Sequence, residues 1–423
     1  MPSPIKKMYD VSMKVWIKLL IGSAIGIILG FAVSDNQRLA EALVWLEQFA
    51  LRLGRYALVP WLVFSLTVAV YELRQEGKFL SFVIKNFLLI SVISIFVILT
   101  GVLATLAFPP ARIPILFVEG EQAVQLNIAG NINALFPFNM LSVLAGDGIY
   151  LFPICVFAFF LGMGLSYDRA HSKPVVSFVD SLSRAFYHVA SFFVEILGFI
   201  IIVLSCYWTI RFRDVLQAEI FSDLILFISV LCLVLGFGIL PLFMYFIKPK
   251  VHPWKVLYGS LGPAIAAFFS GDINFTLPVL MRHSKENLGI KRRSSTVSLA
   301  LFSTFCRAGS AMVAAVAFIV IIKSYSSLGI TTAEVFSIFI RAFGISFVLA
   351  GHPGNGAYAA LAVLCLGYGR GFEAGYLILK PMIFFLIAAG AFLDVIITSF
   401  ASYALAQMNG FIDEKNMRNI NKK

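Results

Sequence analysis

Long apolar runs separated by short polar segments extend from near residue 15 to near residue 408. Within each run the apolar residues are continuous rather than alternating, which favours helices over the strands of a barrel. A helix needs about 20 such residues to cross the roughly 30 Å hydrocarbon layer of a membrane. The pattern predicts about eight transmembrane helices, at about 15–33, 44–71, 79–108, 149–166, 176–209, 223–247, 296–322 and 374–408.

Two further apolar stretches, at 256–281 and 333–368, carry polar and helix-breaking residues in their middle. The first is interrupted at 270–274 (SGDIN) and the second at 351–356 (GHPGNG). Irregular backbone at membrane depth is tolerated only where protein covers it or where it lines a watered cavity. Paired interruptions of this kind mark the binding sites of secondary transporters. We interpret the two stretches as re-entrant helical hairpins, which gives an all-α polytopic membrane protein.

The composition supports a membrane location. Of 423 residues 60% are hydrophobic and 13% charged, and a soluble domain of this length could not keep that much apolar surface from water. The net charge is +11, but the basic residues lie in short loops between apolar runs. The positive-inside rule accounts for this distribution better than a nucleic-acid partner does. The rule predicts that both termini lie in the cytoplasm. We expect the membrane to be the inner (plasma) membrane. The first apolar run follows Lys14 and is expected to be a retained helix rather than a signal peptide.

The sequence offers little catalytic chemistry. Its five cysteines all lie inside apolar runs without paired spacing, so neither a disulfide framework nor a thiolate metal site is expected. No HExxH or GxSxG motif is present. We therefore expect no enzyme activity, no cofactor and no bound metal as part of a catalytic site.

Several segments together resemble the dicarboxylate/amino acid:cation symporter family, the glutamate transporter homologues. The resemblance covers nearly the whole chain, and it depends on the order and spacing of the segments rather than on any one of them. The segments are 52–65 (RLGRYALVPWLVFS), 131–139 (NINALFPFN), 151–158 (LFPICVFA), 276–282 (TLPVLMR), 351–357 (GHPGNGA) and 393–398 (LDVIIT).

The resemblance implies a homotrimer in which a transport domain moves against a scaffold, as an elevator. Residues 1–255 would form mainly the scaffold and trimerisation helices, with helices 3 and 6 moving with the transport domain. Residues 256–408 would form the transport core (hairpin 1, helix 7, hairpin 2 and helix 8), and 409–423 a cytoplasmic tail. The implied function is secondary active transport of an amino acid or small dicarboxylate, similar to glutamate or aspartate. The same fold could instead serve an uncoupled facilitator, a channel or a receptor.

The implied substrate site lies between the two hairpin tips and helices seven and eight. Helix N-termini exposed at the tips favour an anionic group on the solute. By resemblance Asp394 would receive a substrate amino group, although it could instead cap or pair within the bundle. The candidate substrate-binding residues are Asp272, Asn274, Arg307, Ser310, Gly351, Pro353, Gly354, Asp394 and Thr398. Asn274 could equally satisfy open backbone, and the two hydroxyl residues could serve helix packing.

The sequence departs from the family where cations are expected to bind. The family carries Asn-Met-Asp-Gly-Thr in its unwound seventh helix, whereas residues 306–310 here read CRAGS. In the last helix Ile397, Ala401 and Leu405 replace an arginine, an asparagine and an aspartate. Sodium needs several hard oxygen ligands. Because Ala308 and Leu405 remove two carboxylates, we expect the usual sodium sites to be lost and coupling to involve protons or no ion.

Arg307 is the residue gained at this position. A guanidinium stays protonated and would occupy the region where a bound cation otherwise neutralises the site. It could hold an anionic solute, or it could pair with Asp272 or Asp394. His352, in the second hairpin tip, could titrate near neutral pH and carry a proton, or it could be a hairpin cap that faces water.

Overall fold

The computed structural model describes residues 15–33, 37–114, 128–146, 148–217, 219–247, 253–326 and 329–413. This part of the chain is built of helices, and its β-structure is one isolated bridge, between Ile290 and Ile412. The predicted all-α fold is therefore confirmed. Three features of the sequence lie outside the described residues: the basic N-terminus with Lys14, a segment with Glu119 and Glu121 whose acidic residues predict an exposed connection, and the basic tail beyond residue 413.

The described residues of the first half form seven α-helices, and two of them are much longer than the roughly 20 residues that a membrane requires. They are α1 Val15–Val33, α2 Gln37–Arg55, α3 Leu58–Gln75, α4 Phe79–Ala107, α5 Ile128–Leu135, α6 Phe152–Tyr167 and α7 Arg169–Gln217. A short 3₁₀ helix, Met140–Ala145, precedes α6.

The second half contains the predicted hairpins and their neighbours. The helices are α8 Ser222–Leu233, α9 Leu240–Ile247, α10 Pro253–Ser270, α11 Ile273–Glu286, α12 Arg292–Phe305, α13 Ala308–Tyr325, α14 Thr332–Val348, α15 Gly356–Tyr368 and α16 Ile383–Met408. A π-helical turn, Val234–Ile239, joins α8 to α9. A 3₁₀ helix, Gly375–Met382, leads into α16.

Eight helical segments in the described residues are long and apolar enough to cross a membrane. The number agrees with the prediction, but the set differs at one place. The helix Phe152–Tyr167 has only 16 residues, while Thr332–Gly351, the first arm of the second hairpin, is long enough to qualify. Length and hydropathy alone therefore cannot distinguish a short spanning helix from an arm of a hairpin. The packing of the two arms against each other identifies a hairpin.

Pro60 predicts an interruption in the second span, but the break lies before Pro60 rather than at it. Helix α2 ends at Arg55 and α3 begins at Leu58, so the proline occupies the first turn of α3. Proline is tolerated there because the first backbone N–H groups of a helix have no intrahelical acceptor. The placement of the interruption at the proline itself was wrong by a few residues.

The first hairpin consists of α10 and α11, and its arms run antiparallel. A methyl group built on Gly259, near the start of α10, would lie 3.3 Å from Leu288, just beyond the end of α11. Gly262, one turn further on, similarly faces His283. The turn between the arms contains Gly271 with a φ of +63°, a conformation that residues with a side chain rarely adopt.

The second hairpin consists of α14 and α15, and polar contacts join its two open ends. Glu334, in the first turn of α14, accepts hydrogen bonds from the Tyr368 hydroxyl (3.1 Å) and the Arg370 guanidinium (2.5 Å). The Arg341 guanidinium donates to the carbonyl of Gly367. Because the start of one arm meets the end of the other, the chain returns to the side from which it entered.

Two helical segments form the interior of the molecule. The most apolar part of Arg292–Tyr325 is 94% buried and that of Gly375–Met408 is 83% buried, against 28% for α1. Helices exposed to this extent can face lipid, whereas the two inner segments contact protein on nearly every side. The candidate site residues of α13 and α16 are thereby held inside protein rather than at its surface.

Helix α1 packs against α7 through glycines spaced four residues apart. Methyl groups built on Gly22, Gly26 and Gly30 would each lie within 3 Å of α7 atoms. For Gly26 the distances are 1.9 Å to Ser205 Oγ and 2.4 Å to the Ile202 carbonyl oxygen. This is the close helix contact that small residues permit in membranes.

We expect Gly26→Ala to destabilise the protein by about 1–3 kcal/mol, because the added methyl group would force the two helices apart. Gly164→Ala is the matched control, since Gly164 lies in α6 with no atom within 4 Å of the new methyl group. Thermal unfolding of both variants in detergent measures the difference. Equal unfolding temperatures for the two variants would contradict this packing.

Candidate functional site

Asp394 lies fully buried in the middle of α16 and accepts four hydrogen bonds. Its Oδ1 accepts from the backbone N–H groups of Gly309 (2.7 Å) and Ser310 (3.2 Å). Its Oδ2 accepts from Arg307 Nε (3.0 Å) and from the Ser310 hydroxyl (2.6 Å). A buried carboxylate is stable only when it is paired and hydrogen-bonded in this way.

The donors come from a break between α12 and α13. Helix α12 ends at Phe305 and α13 begins at Ala308, so Cys306 and Arg307 lie outside both helices. The first N–H groups of a new helix have no acceptor in their own helix. Here two of them face Asp394. Gly309 permits the approach, since a methyl group built on it would lie 2.9 Å from Asp394 Oδ1.

Arg307 connects the carboxylate to the second hairpin tip. Its side chain is 1% exposed, and Nη2 donates to the Pro353 carbonyl at 3.2 Å. Gly356 leaves space for the guanidinium, because a methyl group built there would lie 2.4 Å from Arg307 Nη2. Nη1 is buried and has no hydrogen-bond partner among the described residues. Of the alternatives left open for Arg307, the structure shows pairing with Asp394.

A second ion pair lies at the first hairpin tip, between Arg55 and Asp272. Asp272 is 1% exposed, and its other oxygen accepts the backbone N–H of Asn274 at 2.8 Å, which caps α11. The two tips approach each other here: a methyl group built on Gly271 would lie 3.9 Å from the Gly354 carbonyl oxygen. One built on Gly354 would lie 4.0 Å from Arg55 Nη2. Arg55 therefore lies beside both tips.

The remaining candidates have structural contacts or no partner. The Asn274 side chain donates to the Ile149 carbonyl at 2.8 Å, as expected of a residue that satisfies open backbone. The hydroxyl of Thr398 is buried without a hydrogen-bond partner in the described part of the chain. Gly351 lies against Asn131, whose amide nitrogen a methyl group on Gly351 would approach to 2.7 Å.

Arg55 is the residue to which sequence reasoning gave no role. Arg55 is part of the segment 52–65 that resembles the family. An ionisable residue inside an apolar span is by itself a signal of a functional site. That signal could have selected Arg55. Its partner could not have been found from the sequence, because Asp272 is 217 positions further along the chain.

The arrangement is balanced in charge and rich in donors. Two carboxylates face two guanidinium groups, so their formal charges cancel without an added cation. The positions at which the resemblance implies two further carboxylates, Ala308 and Leu405, are fully buried apolar residues. Arg307 Nη1 and Arg55 Nε are buried donors without a described partner. The site thus combines two ion pairs with two buried donors that no described residue satisfies.

We expect Asp394→Asn to destabilise the protein by about 3–5 kcal/mol, because it leaves the Arg307 charge buried and unpaired. The double variant R307M/D394N removes both charges and should recover a large part of that loss. Thermal unfolding of the wild type, both single variants and the double variant gives the coupling between the two residues. Additive effects would show that the pair contributes nothing.

Comparison with known proteins extends this description. The family model described as "Sodium:dicarboxylate symporter family" matches residues 15–409. The chain is 25% identical to human Neutral amino acid transporter A over 218 residues, which are 52% of this chain and 41% of the relative. It is 26% identical to mouse Neutral amino acid transporter B(0) over 227 residues, which are 52% of this chain and 39% of that relative.

The matches span about two-fifths of the length of these relatives. The relatives and the family are named as transporters, which agrees with the expectation that the chain is not an enzyme. The family model, by contrast, covers nearly all of the chain that the structure describes. This multi-pass membrane protein belongs to the sodium:dicarboxylate symporter family.

Proposed function

We propose that the chain is a secondary transporter for an amino acid or a small dicarboxylate, and that it works without sodium. The observation that carries the proposal is the buried Arg307–Asp394 pair, whose guanidinium also holds the second hairpin tip through Pro353. A site of this kind combines a fixed positive charge with a hairpin tip that is hydrogen-bonded to it. Both features suit a carrier that encloses an anionic or zwitterionic solute.

The substrate class is supported by the chemistry of the tips. Helix α11 begins at the first tip and α15 at the second, and helix N-termini favour negative charge. Arg55 and Arg307 add two guanidinium groups, which bind carboxylates with matched geometry. The relatives named above are transporters of neutral amino acids, which also carry a carboxylate. The proposed site residues are those predicted from the sequence, with Arg55 added.

Independence from sodium follows from charge. In a buried site a carboxylate needs a compensating positive charge. For Asp394 that charge is Arg307, and for Asp272 it is Arg55. A bound sodium ion would have to compete with guanidinium groups that are already hydrogen-bonded. Coupling would then use protons, for which His352 at the second tip is a candidate carrier, or no ion at all.

The proposed mechanism is an elevator in a homotrimer. The transport core of residues 256–408 would move against the helices of residues 1–255, with both termini in the cytoplasm. The Arg55–Asp272 pair joins these two parts of the chain, so it would have to open during the movement. Arg307 and Asp394 both lie within the core and would move together.

An uncoupled facilitator, a channel or a receptor is the second candidate. One observation favours it: a guanidinium does not give up its proton in proteins, so Arg307 cannot relay protons as a titratable carboxylate could. Radiolabelled solute in proteoliposomes separates the candidates. A coupled transporter accumulates solute against its gradient, a facilitator only equilibrates it, and a receptor binds it without uptake.

We expect uptake into proteoliposomes to remain within roughly a factor of two when sodium is replaced by choline, because arginines supply the charge that sodium would bring. The assay needs purified protein and a solute that binds. Empty liposomes and R307M proteoliposomes serve as controls. Loss of uptake in choline would exclude the sodium-independent mechanism.

A thermal-shift screen should identify that solute. We expect a carboxylate-bearing amino acid or a small dicarboxylate to raise the unfolding temperature equally in sodium and in choline, because a ligand that binds only the folded state stabilises it. Amines of the same size that lack the carboxylate provide the negative control. A shift that requires sodium, or one given by the amines alone, would contradict the proposed site.

A further inference from the structure

A cavity lies at the end of the first hairpin opposite its tip, apart from the candidate substrate site. It has a volume of about 550 Å³ and is lined by parts of α3, α7, the end of α11 and the start of α12. Helix α3 ends at Gln75 and α12 begins at Arg292, and each is the end of a candidate membrane span. Several lining residues therefore lie near the ends of candidate membrane spans, where lipid headgroups are expected.

The lining is strongly basic. It contains Arg184, His188, Lys285, Lys291, Arg292 and Arg293, with Glu72 as its acidic side chain. Basic residues at the ends of spans are common, and taken singly they would indicate only membrane orientation. Here they come from three separate helices and a loop and converge on one concave space, which orientation alone does not require.

The carboxylates around the cavity are already paired with arginines. Asp180 lies 2.5 Å from Arg292 and 2.9 Å from Arg184, and Glu76 pairs with Arg293. Two further carboxylates, those of Glu195 and Glu286, lie 2.6 Å and 3.1 Å from the Arg282 guanidinium.

Lys285 and Lys291 have no carboxylate within salt-bridge distance among the described residues. Lys285 instead lies over the Tyr187 ring, with 4.0 Å between its Nζ and the ring centroid. The cavity thus keeps an excess of positive charge that no described carboxylate pairs with.

A buried hydroxyl in the wall is also without a partner. Ser183 lines the cavity and is 1% exposed, and its Oγ has no hydrogen bond to any described residue. Arg293 Nε is likewise buried and unpaired in this part of the chain. Buried polar groups are nearly always hydrogen-bonded, so these two donors call for an acceptor inside the cavity. The charge of the lysines and the orientation of the chain in a membrane do not account for these two unpaired donors.

We propose that this cavity binds a phosphate-bearing anion. Two free lysines, an unpaired arginine N–H and a buried hydroxyl together supply the charge and the donors that a phosphate group accepts. An anionic lipid headgroup and a soluble polyphosphate share this chemistry.

The test uses the full-length protein in nanodiscs with two probes. In one arm the nanodiscs contain phosphatidylcholine with or without phosphatidylglycerol, and native mass spectrometry counts the retained phosphatidylglycerol. In the other arm inorganic pyrophosphate is titrated onto protein in pure phosphatidylcholine, and the unfolding temperature is followed. Binding in the first arm identifies a lipid headgroup as the source, and binding in the second a soluble anion.

The informative variant is K285Q/K291Q, which removes two charges without leaving a carboxylate unpaired. The matched control K173Q/K255Q removes two charges from exposed lysines that do not line the cavity. We expect the first variant to weaken binding of the active probe by roughly tenfold or more, and the control to bind like wild type. Ser183→Ala, which keeps every charge, should weaken it to a smaller extent.

Two results would overturn the proposal. One is a wild type that responds to neither phosphatidylglycerol nor pyrophosphate. The other is a K285Q/K291Q variant that binds the probe as tightly as the K173Q/K255Q control. Because both variants are measured by binding and unfolding, neither result depends on transport activity, and the proposed transport function would stand unaffected.

Discussion

The ion pair between Arg307 and Asp394 is the interaction on which the centre of the molecule depends. Taking both charges out of water costs several kcal/mol for each ion, which is recovered only when hydrogen bonds satisfy their remaining atoms. Asp394 obtains these bonds because the helix is broken just before Gly309 and Ser310. The helix break, the lack of a side chain at Gly309 and the position of α16 are therefore parts of one arrangement.

The same pair also contacts the second hairpin tip. Arg307 reaches past Asp394 to the Pro353 carbonyl, so the guanidinium neutralises a carboxylate and holds a tip at once. A sodium ion could also bridge a carboxylate and a carbonyl by coordinating their oxygens, but it would have to be taken from solution and stripped of water, whereas the guanidinium is part of the chain. In the proposed function this difference matters, since a tip fixed by an arginine closes without an ion from solution. Arg55 stands beside the other tip with a similar pairing.

The main elements of the fold could be predicted from the sequence because apolar run length and breaker residues are local signals. The hairpin turns at Gly271 and at Pro353 followed from them. The break between Phe305 and Ala308 leaves no mark in the apolar pattern of 296–322, and only the family resemblance, with its unwound seventh helix, predicts it. The break before Pro60 was misplaced because a proline suits the first turn of a helix as well as an interruption. For the site, Arg307 and Asp394 were candidates whose role in binding stays a prediction, and which charge pairs with which depended on tertiary packing.

The ion pairs differ in exposure according to where they lie, and this bears on the proposed elevator. Within residues 256–408, the Arg307 and Asp394 side chains are 1% and 0% exposed. Pairs that join this part to residues 1–255 keep at least one member near water, as in Arg55 at 19% and Glu195 at 21%. A pair with one member near water costs less to separate than a fully buried pair, because water can replace the partner on that side. Contacts of this kind can open and reform as two bodies slide, whereas the buried pair must travel intact. The distribution of charge therefore favours movement between the two parts over rearrangement within the core.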